Sequence, residues 1–155
     1  MTTGKKGVPE GENARTDTVY EQLTGRALDG ARQGLTPREA WAAAQRLVEG
    51  TPSTLNKGCP RSTFVSLAEQ GYVRGVPAQA ATRPLTLNAR HALHAWKVAQ
   101  ADPTLLNRKR AWWAATRAHS GTSRENHAGI LDVLRVLIMR NALTDPAAPI
   151  IPTGP

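Results

Sequence analysis

Apolar residues recur along most of this chain with a period near 3.6, in six stretches that each open on a helix-start signal. The first begins at Thr18, with Glu21 three residues on as the reciprocal half of a capping box. It sets Val19, Leu23, Ala27 and Ala31 on one face before Gly34. The second opens on Thr36-Pro37-Arg38-Glu39, an N-cap, a proline at the first helical position and a Glu that can reach back, and carries Ala40, Trp41, Ala44, Leu47 and Val48. A third starts at Cys59-Pro60, presents Phe64, Leu67 and Ala68, and stops at Gly71, a residue suited to a left-handed C-terminal cap. Tyr72 to Pro77 then reads as a short extended segment, the one strand candidate. Beyond a linker through Pro77, Thr82 and Pro84, a fourth helix is predicted from Thr86 or Asn88 to Ala101, with Ala92, Ala95, Trp96 and Ala99 inward. Asp102-Pro103 restarts the chain, and a fifth helix runs to about Ala118, burying Leu106, Trp112 or Trp113, and Ala115. Thr122 with Glu125 offers a cap for a sixth helix. Its Ile130, Leu131, Leu134, Leu137 and Ile138 form the most apolar segment and mark it as the central core helix.

The two halves of this pattern overlay. Ala40-Trp41 followed by Arg46 matches Ala111-Trp112 followed by Arg117 at an offset of 71, and Phe64, Leu67 and Gly71 match Leu134, Leu137 and Asn141 at an offset of 70. Glycine and asparagine are the residues that best tolerate a left-handed cap. The expected fold is therefore all-α, about six helices in two pseudo-repeated three-helix units, residues 17–76 and 85–144, with at most a short strand or wing after the third helix. Residues 1–16 and 145–155, polar and proline-punctuated respectively, read as tails.

Charge divides less evenly than the helices do. The chain of 155 residues carries a net charge of +8. Residues 1–73 are close to neutral, at +1, whereas residues 74–140 hold 11 Lys and Arg against Asp102, Glu125 and Asp132 alone. So one-sided a block implies an acidic partner, nucleic acid with DNA foremost, or else an acidic protein surface. The single cysteine, Cys59, has no partner for an internal disulfide. With an N-terminus that lacks an apolar leader run, this points to a reducing, cytoplasmic setting. The longest apolar run, Ile130 to Met139, contains Asp132 and Arg135 and falls short of the roughly 20 residues a bilayer requires.

Candidate chemistry is sparse. Lys57-Gly58-Cys59-Pro60-Arg61-Ser62-Thr63-Phe64 gathers a glycine, free N–H groups at a helix start, two cations and two hydroxyls, a combination that binds phosphate-like anions. Cys59-Pro60-Arg61-Ser62 also has the outline of a redox Cys-x-x-Ser motif, without the strands of a thioredoxin-like fold. His91 and His94 lie one turn apart, with His119 and His127 downstream, but the spacing lacks the convergent set of a zinc site. No paired carboxylates, P-loop or serine triad is present, so neither catalytic residues nor a cofactor nor a metal is expected. Arg90, Lys97 and His94 share a face of the fourth helix. Arg108, Lys109 and Arg110 form a triplet at the start of the fifth, with Arg117 two turns on. Trp96 and Trp113 stack on bases if exposed, and otherwise belong to the core.

The run Gly58 to Phe64, continued by Leu67, Glu69, Gly71, Val73, Gly75 and Val76, resembles the signature of a small bacterial domain family of unknown function, a likeness that extends from Tyr20 to Leu143 and implies no activity. More loosely, three helices followed by Gly71-Tyr72-Val73 and a turn resemble a winged helix-turn-helix. That resemblance implies that Arg61, Ser62 and Ser66 face bases or phosphates and that Arg74 lies on the wing. The stretch between Glu49 and Gly58 is long for a tight helix-turn-helix turn, and no second wing strand follows Pro77.

Three readings follow. The first is a non-enzymatic nucleic-acid-binding protein that uses Lys57, Arg61, Ser62, Arg74, Arg90, Lys97, Arg108, Lys109, Arg110 and Arg117. The others are a protein-interaction module with a basic face, and a Cys59-dependent redox or catalytic protein.

Overall fold

Threonines start the first helices, as their capping signals require. In the computed structural model, which describes residues 17–79 and 83–146, Thr18 Oγ1 accepts from Glu21 N at 3.1 Å while Glu21 Oε1 accepts from Thr18 N at 2.8 Å. Thr36 and Glu39 repeat the reciprocal pair at 3.2 and 3.0 Å. These caps open α1 (Val19–Arg32) and α2 (Pro37–Leu47). A one-turn α3 (Pro52–Leu55), which the sequence pattern did not foretell, precedes α4 (Gly58–Glu69). The second half holds α5 (Leu87–Ala101) behind its Thr86 cap, a 3-10 turn at Pro103–Asn107, α6 (Lys109–Ser120) and α7 (Ile130–Met139). The fold is all-α, and among the described residues it contains no strand. The expected tail at 1–16 and most of that at 145–155 lie outside the described residues.

One buried cluster joins both halves. Leu23, Leu28, Trp41, Phe64 and Leu67 meet Trp112, Ile130, Leu131, Leu134 and Leu137, all at most 1% exposed. Each of the larger of these side chains stabilises the fold by roughly 1.5–3 kcal/mol through removal from water. Helix α7 is the central element that its apolar content predicts, and it packs on α1, α4 and α5. Leu47, placed on the inner face of α2 by periodicity, is instead 62% exposed, because Val48 takes the inward position as the helix ends.

The resemblance between halves extends to individual hydrogen bonds. Tyr72 N donates to Leu67 O at 2.9 Å and Ala142 N to Leu137 O at 2.7 Å, the same helix-ending bond 70 residues apart. Gly71 and Asn141, the residues that permit it, have φ of +89° and +53°. The chain segments that follow then cross. Arg74 N donates to Ala142 O, Thr144 N donates to Tyr72 O, and Val73 and Leu143 form a single antiparallel bridge. This is all that forms of the expected strand or wing. In a matching way, α4 packs on α5 and α7 on α1, so each half lays its last helix on the first helix of the other.

The start of α7 departs from expectation. Thr122 and Glu125 do not cap it; Gly121 ends α6 in the left-handed region, and residues 121–129 form a loop. Left-handed Ala128 and Gly129 prevent helical geometry from propagating back, and the intervening Ser-Arg-Glu-Asn-His run supplies no apolar face to bury. The cap comes from His127, whose Nδ1 accepts from Gly129 N at 3.2 Å and Leu131 N at 3.4 Å.

Candidate functional site

The segment Lys57–Ser62 opens α4 beside the loop that precedes α7. Pro60 packs so closely on Gly129 that a Cβ there would lie 2.7 Å from Pro60 Cγ, which brings the starts of the two central helices together. Arg124, from the loop, ties this region into one unit. Its guanidinium donates to Asn88 Oδ1 at 2.7 Å, to Cys59 Sγ at 3.2 Å and to Asn126 O at 3.1 Å. Sequence reasoning assigned Arg124 no part in the site and placed it within the expected cap of the sixth helix.

Side chains given base-facing roles by the winged-helix resemblance are engaged inside the fold. Ser66 is 7% exposed and accepts from Thr86 N at 3.1 Å, and Ser62 accepts from Asn88 Nδ2 at 3.0 Å. The cap of α5 therefore covers this side of α4, and Arg61 is the exposed residue of the three. Arg61 lines a groove of about 180 Å³ with Arg38, Arg83 and Glu69, where Arg38 Nε reaches Glu69 Oε2 at 3.4 Å. Arg74 is exposed and donates from Nε to Leu143 O at 3.1 Å, beside the bridge and not on a wing.

The remaining sequence-derived cations fall into distinct settings. Lys57 and Arg108 are exposed at the starts of α4 and α6. Arg90 and Lys97 line a cleft between α5 and the end of α6, together with Trp96, His94 and His119. Arg110 and Arg117 lie around a second hollow, with Trp113 and His127. Lys109 points the other way. Its ammonium sits 2.8 Å from Asp132 Oδ1 and 3.2 Å from Glu21 Oε2, with Arg135 at 3.7 Å from the same Glu21 oxygen and Thr18 Oγ1 donating to Asp132 Oδ2. This buried ion cluster is the chief polar feature that sequence reasoning missed. Asp132 and Arg135, two charges set into the most apolar helix, were its signal, since charges in such a helix must find partners.

Three histidines lie along this part of the molecule, and burial lowers the pKa of each. For His91, which meets Trp113 edge-on, Arg124, His94 and Arg90 add to the effect of burial. For His94 the further causes are His119 and Lys97. For His127, burial and the cations Lys109, Arg124 and Lys57 outweigh the opposing pull of Asp132. Among the described residues, no group of three or more His, Cys, Asp or Glu comes together as a metal site. Nor is any helix long and apolar enough to cross a membrane.

The depressed His127 has a consequence for stability. Its neutral form is the one that accepts at Nδ1, so the folded state binds a proton less readily than the unfolded chain, whose histidine titrates near about 6.5. The cap is fully effective above that value and is lost as pH falls through the folded pKa. We expect Tm to drop as pH falls below about 6.5, and to drop less in His127→Asn, which keeps an acceptor without titrating. An equal drop in both proteins would assign the acid sensitivity elsewhere.

No curated protein and no solved structure matches the chain. A family model does, over residues 17–144, which takes in every element from the Thr18 cap to the Val73–Leu143 bridge. The chain belongs to that family, described as a family of unknown function, DUF6979.

Proposed function

We propose that this chain is a non-enzymatic nucleic-acid-binding protein, with DNA the first candidate, that works in the cytoplasm through the basic surface of its second half. The observation that carries this reading is how the ion pairs are distributed. Glu21 and Asp132 are engaged in the buried cluster, Glu69 with Arg38 and Asp29 with Arg140. Among the described residues, Lys57, Arg61, Arg90, Lys97, Arg108, Arg110 and Arg117 form no ion pair with Asp or Glu. Cations left without a carboxylate can neutralise phosphates and release the counterions condensed on the nucleic acid, which is the main source of sequence-independent affinity.

Fluorescence anisotropy with a labelled duplex across a salt series tests the reading. Affinity should fall linearly on a log–log plot, and the paired change Arg90→Gln with Lys97→Gln should lower the slope by about one per cation removed. Absence of binding at low salt would sink it. Leu35 and Leu47, 41% and 62% exposed around a hollow between α1 and α2, favour a second reading, an interaction module that docks a protein. A stoichiometric complex that survives nuclease and is lost in Leu47→Glu would support that one.

A further inference from the structure

We propose that the cleft between α5 and the end of α6 takes one unpaired nucleotide, base and phosphate together. The proposal rests on the nucleic-acid reading above and names the part of the ligand that this cleft holds.

The cleft measures about 360 Å³, and is lined by the aromatic pair Tyr72 and Trp96, the cations Arg90 and Lys97, and the imidazoles His94 and His119. Its size falls within the roughly 300–1,000 Å³ usual for small-molecule sites. Flexible aliphatic cations alone would suit any polyanion. An aromatic wall beside them suits a planar ring attached to a phosphate, because stacking of a base on an aromatic side chain contributes roughly 5- to 150-fold in affinity. A base inside a duplex has no free face for such a wall, so the ligand is a nucleotide outside a helix.

The histidines add a second observation. His94 Nδ1 and His119 Nδ1 are 2.8 Å apart, with ring centroids at 5.0 Å. At that distance one ring nitrogen donates and the other accepts, and protonating both removes the acceptor. A phosphate that accepts from both rings would restore their bonding and compensate the added charge. Burial, His119 and Lys97 hold His94 toward its neutral form, and an anion beside them counters the last two influences. Asp145 is the carboxylate of the cleft. Tyr72 keeps its proton, since burial and Asp145 both raise its pKa, and remains a neutral surface for stacking.

Tryptophan fluorescence tests the proposal directly. Trp41, Trp112 and Trp113 are 1%, 0% and 4% exposed, which leaves Trp96 as the indole that an added nucleotide reaches. The probes are thymidine and adenosine monophosphate, short oligothymidylate and oligouridylate strands, and a blunt DNA hairpin matched in phosphate number. We expect the single strands to quench fluorescence and to bind at least about tenfold more tightly than the hairpin at equal salt. Quenching by the monophosphates as well would identify the free nucleotide as sufficient; quenching by strands alone would identify a strand as the source. Trp96→Leu should abolish the preference for single strands, and Trp96→Phe should retain it, which separates stacking from a merely structural role. Affinity for the strands should rise from about pH 8 to about pH 6, and this rise should shrink in His94→Gln. Equal affinity for strand and hairpin, or a Trp96→Leu variant that keeps its preference, would overturn the cleft while the basic surface stands. Failure to bind any of the probes would overturn both.

Discussion

Replacing Lys109 with methionine should lower stability by about 3–5 kcal/mol, because it leaves two buried carboxylates facing one another. The Glu21 side chain is fully buried and that of Asp132 nearly so, and the Lys109 ammonium lies between them at 3.2 and 2.8 Å. Arg135 at 3.7 Å from Glu21, the Thr18 N–H on Glu21 Oε1 and the Thr18 hydroxyl on Asp132 stay in place, but none of them replaces the cation that bridges both carboxylates. In a domain of this size the loss corresponds to a Tm lower by about 10 °C or more. The surface pair Arg140–Asp29, at 3.0 Å but 44% and 58% exposed, supplies the control. Arg140→Met should cost no more than about 1 kcal/mol. If urea unfolding gave the two variants similar midpoints, the buried cluster would not be the polar centre of the fold.

The second large effect is expected from Gly129→Ala. This glycine has φ +89°, and a Cβ there would stand 2.7 Å from Pro60 Cγ and 3.1 Å from the Tyr20 ring. Backbone strain of about 1–2 kcal/mol is joined by a collision with a proline ring fixed at the start of α4, for a total of about 2–4 kcal/mol. Gly34, at φ +114° with nothing within 4 Å of its Cβ position, isolates the strain alone. Gly34→Ala should cost about 1 kcal/mol. Equal losses at the two positions, measured by thermal melts, would mean that the contact between α4 and α7 can yield.

These two sites show which parts of the molecule are written locally in the chain. Thr18, Thr36 and Thr86 cap their helices as threonines do, because a cap involves residues three apart. Gly71 and Asn141 could be paired from sequence because the left-handed cap demands a particular kind of residue wherever it occurs. The cap of α7 could not be read that way. Thr122 and Glu125 carry a plausible local motif, yet the loop geometry at Ala128 and Gly129 passes the role to a histidine. The ion cluster is further still from local information, since Lys109 and Glu21 are 88 residues apart. Glu21 was legible as half of a capping box through one carboxylate oxygen; its other oxygen holds the lysine. The basic surface was legible as composition, and its division among separate hollows was not, because which face of α5 or α6 meets solvent depends on what packs behind it.

The crossing of the segments that carry Val73 and Leu143 bears on how the protein folds. Each half closes over the first helix of the other, and the two outgoing segments are bonded to each other through Arg74 N to Ala142 O and Thr144 N to Tyr72 O. Residues 17–79 by themselves would leave the apolar side of α1 without α7, and 83–146 would leave α5 without α4. Neither half therefore has a sequence of contacts that it can complete before the other arrives. The molecule should gain and lose its structure in one cooperative step, with a nucleus drawn from both ends of the chain.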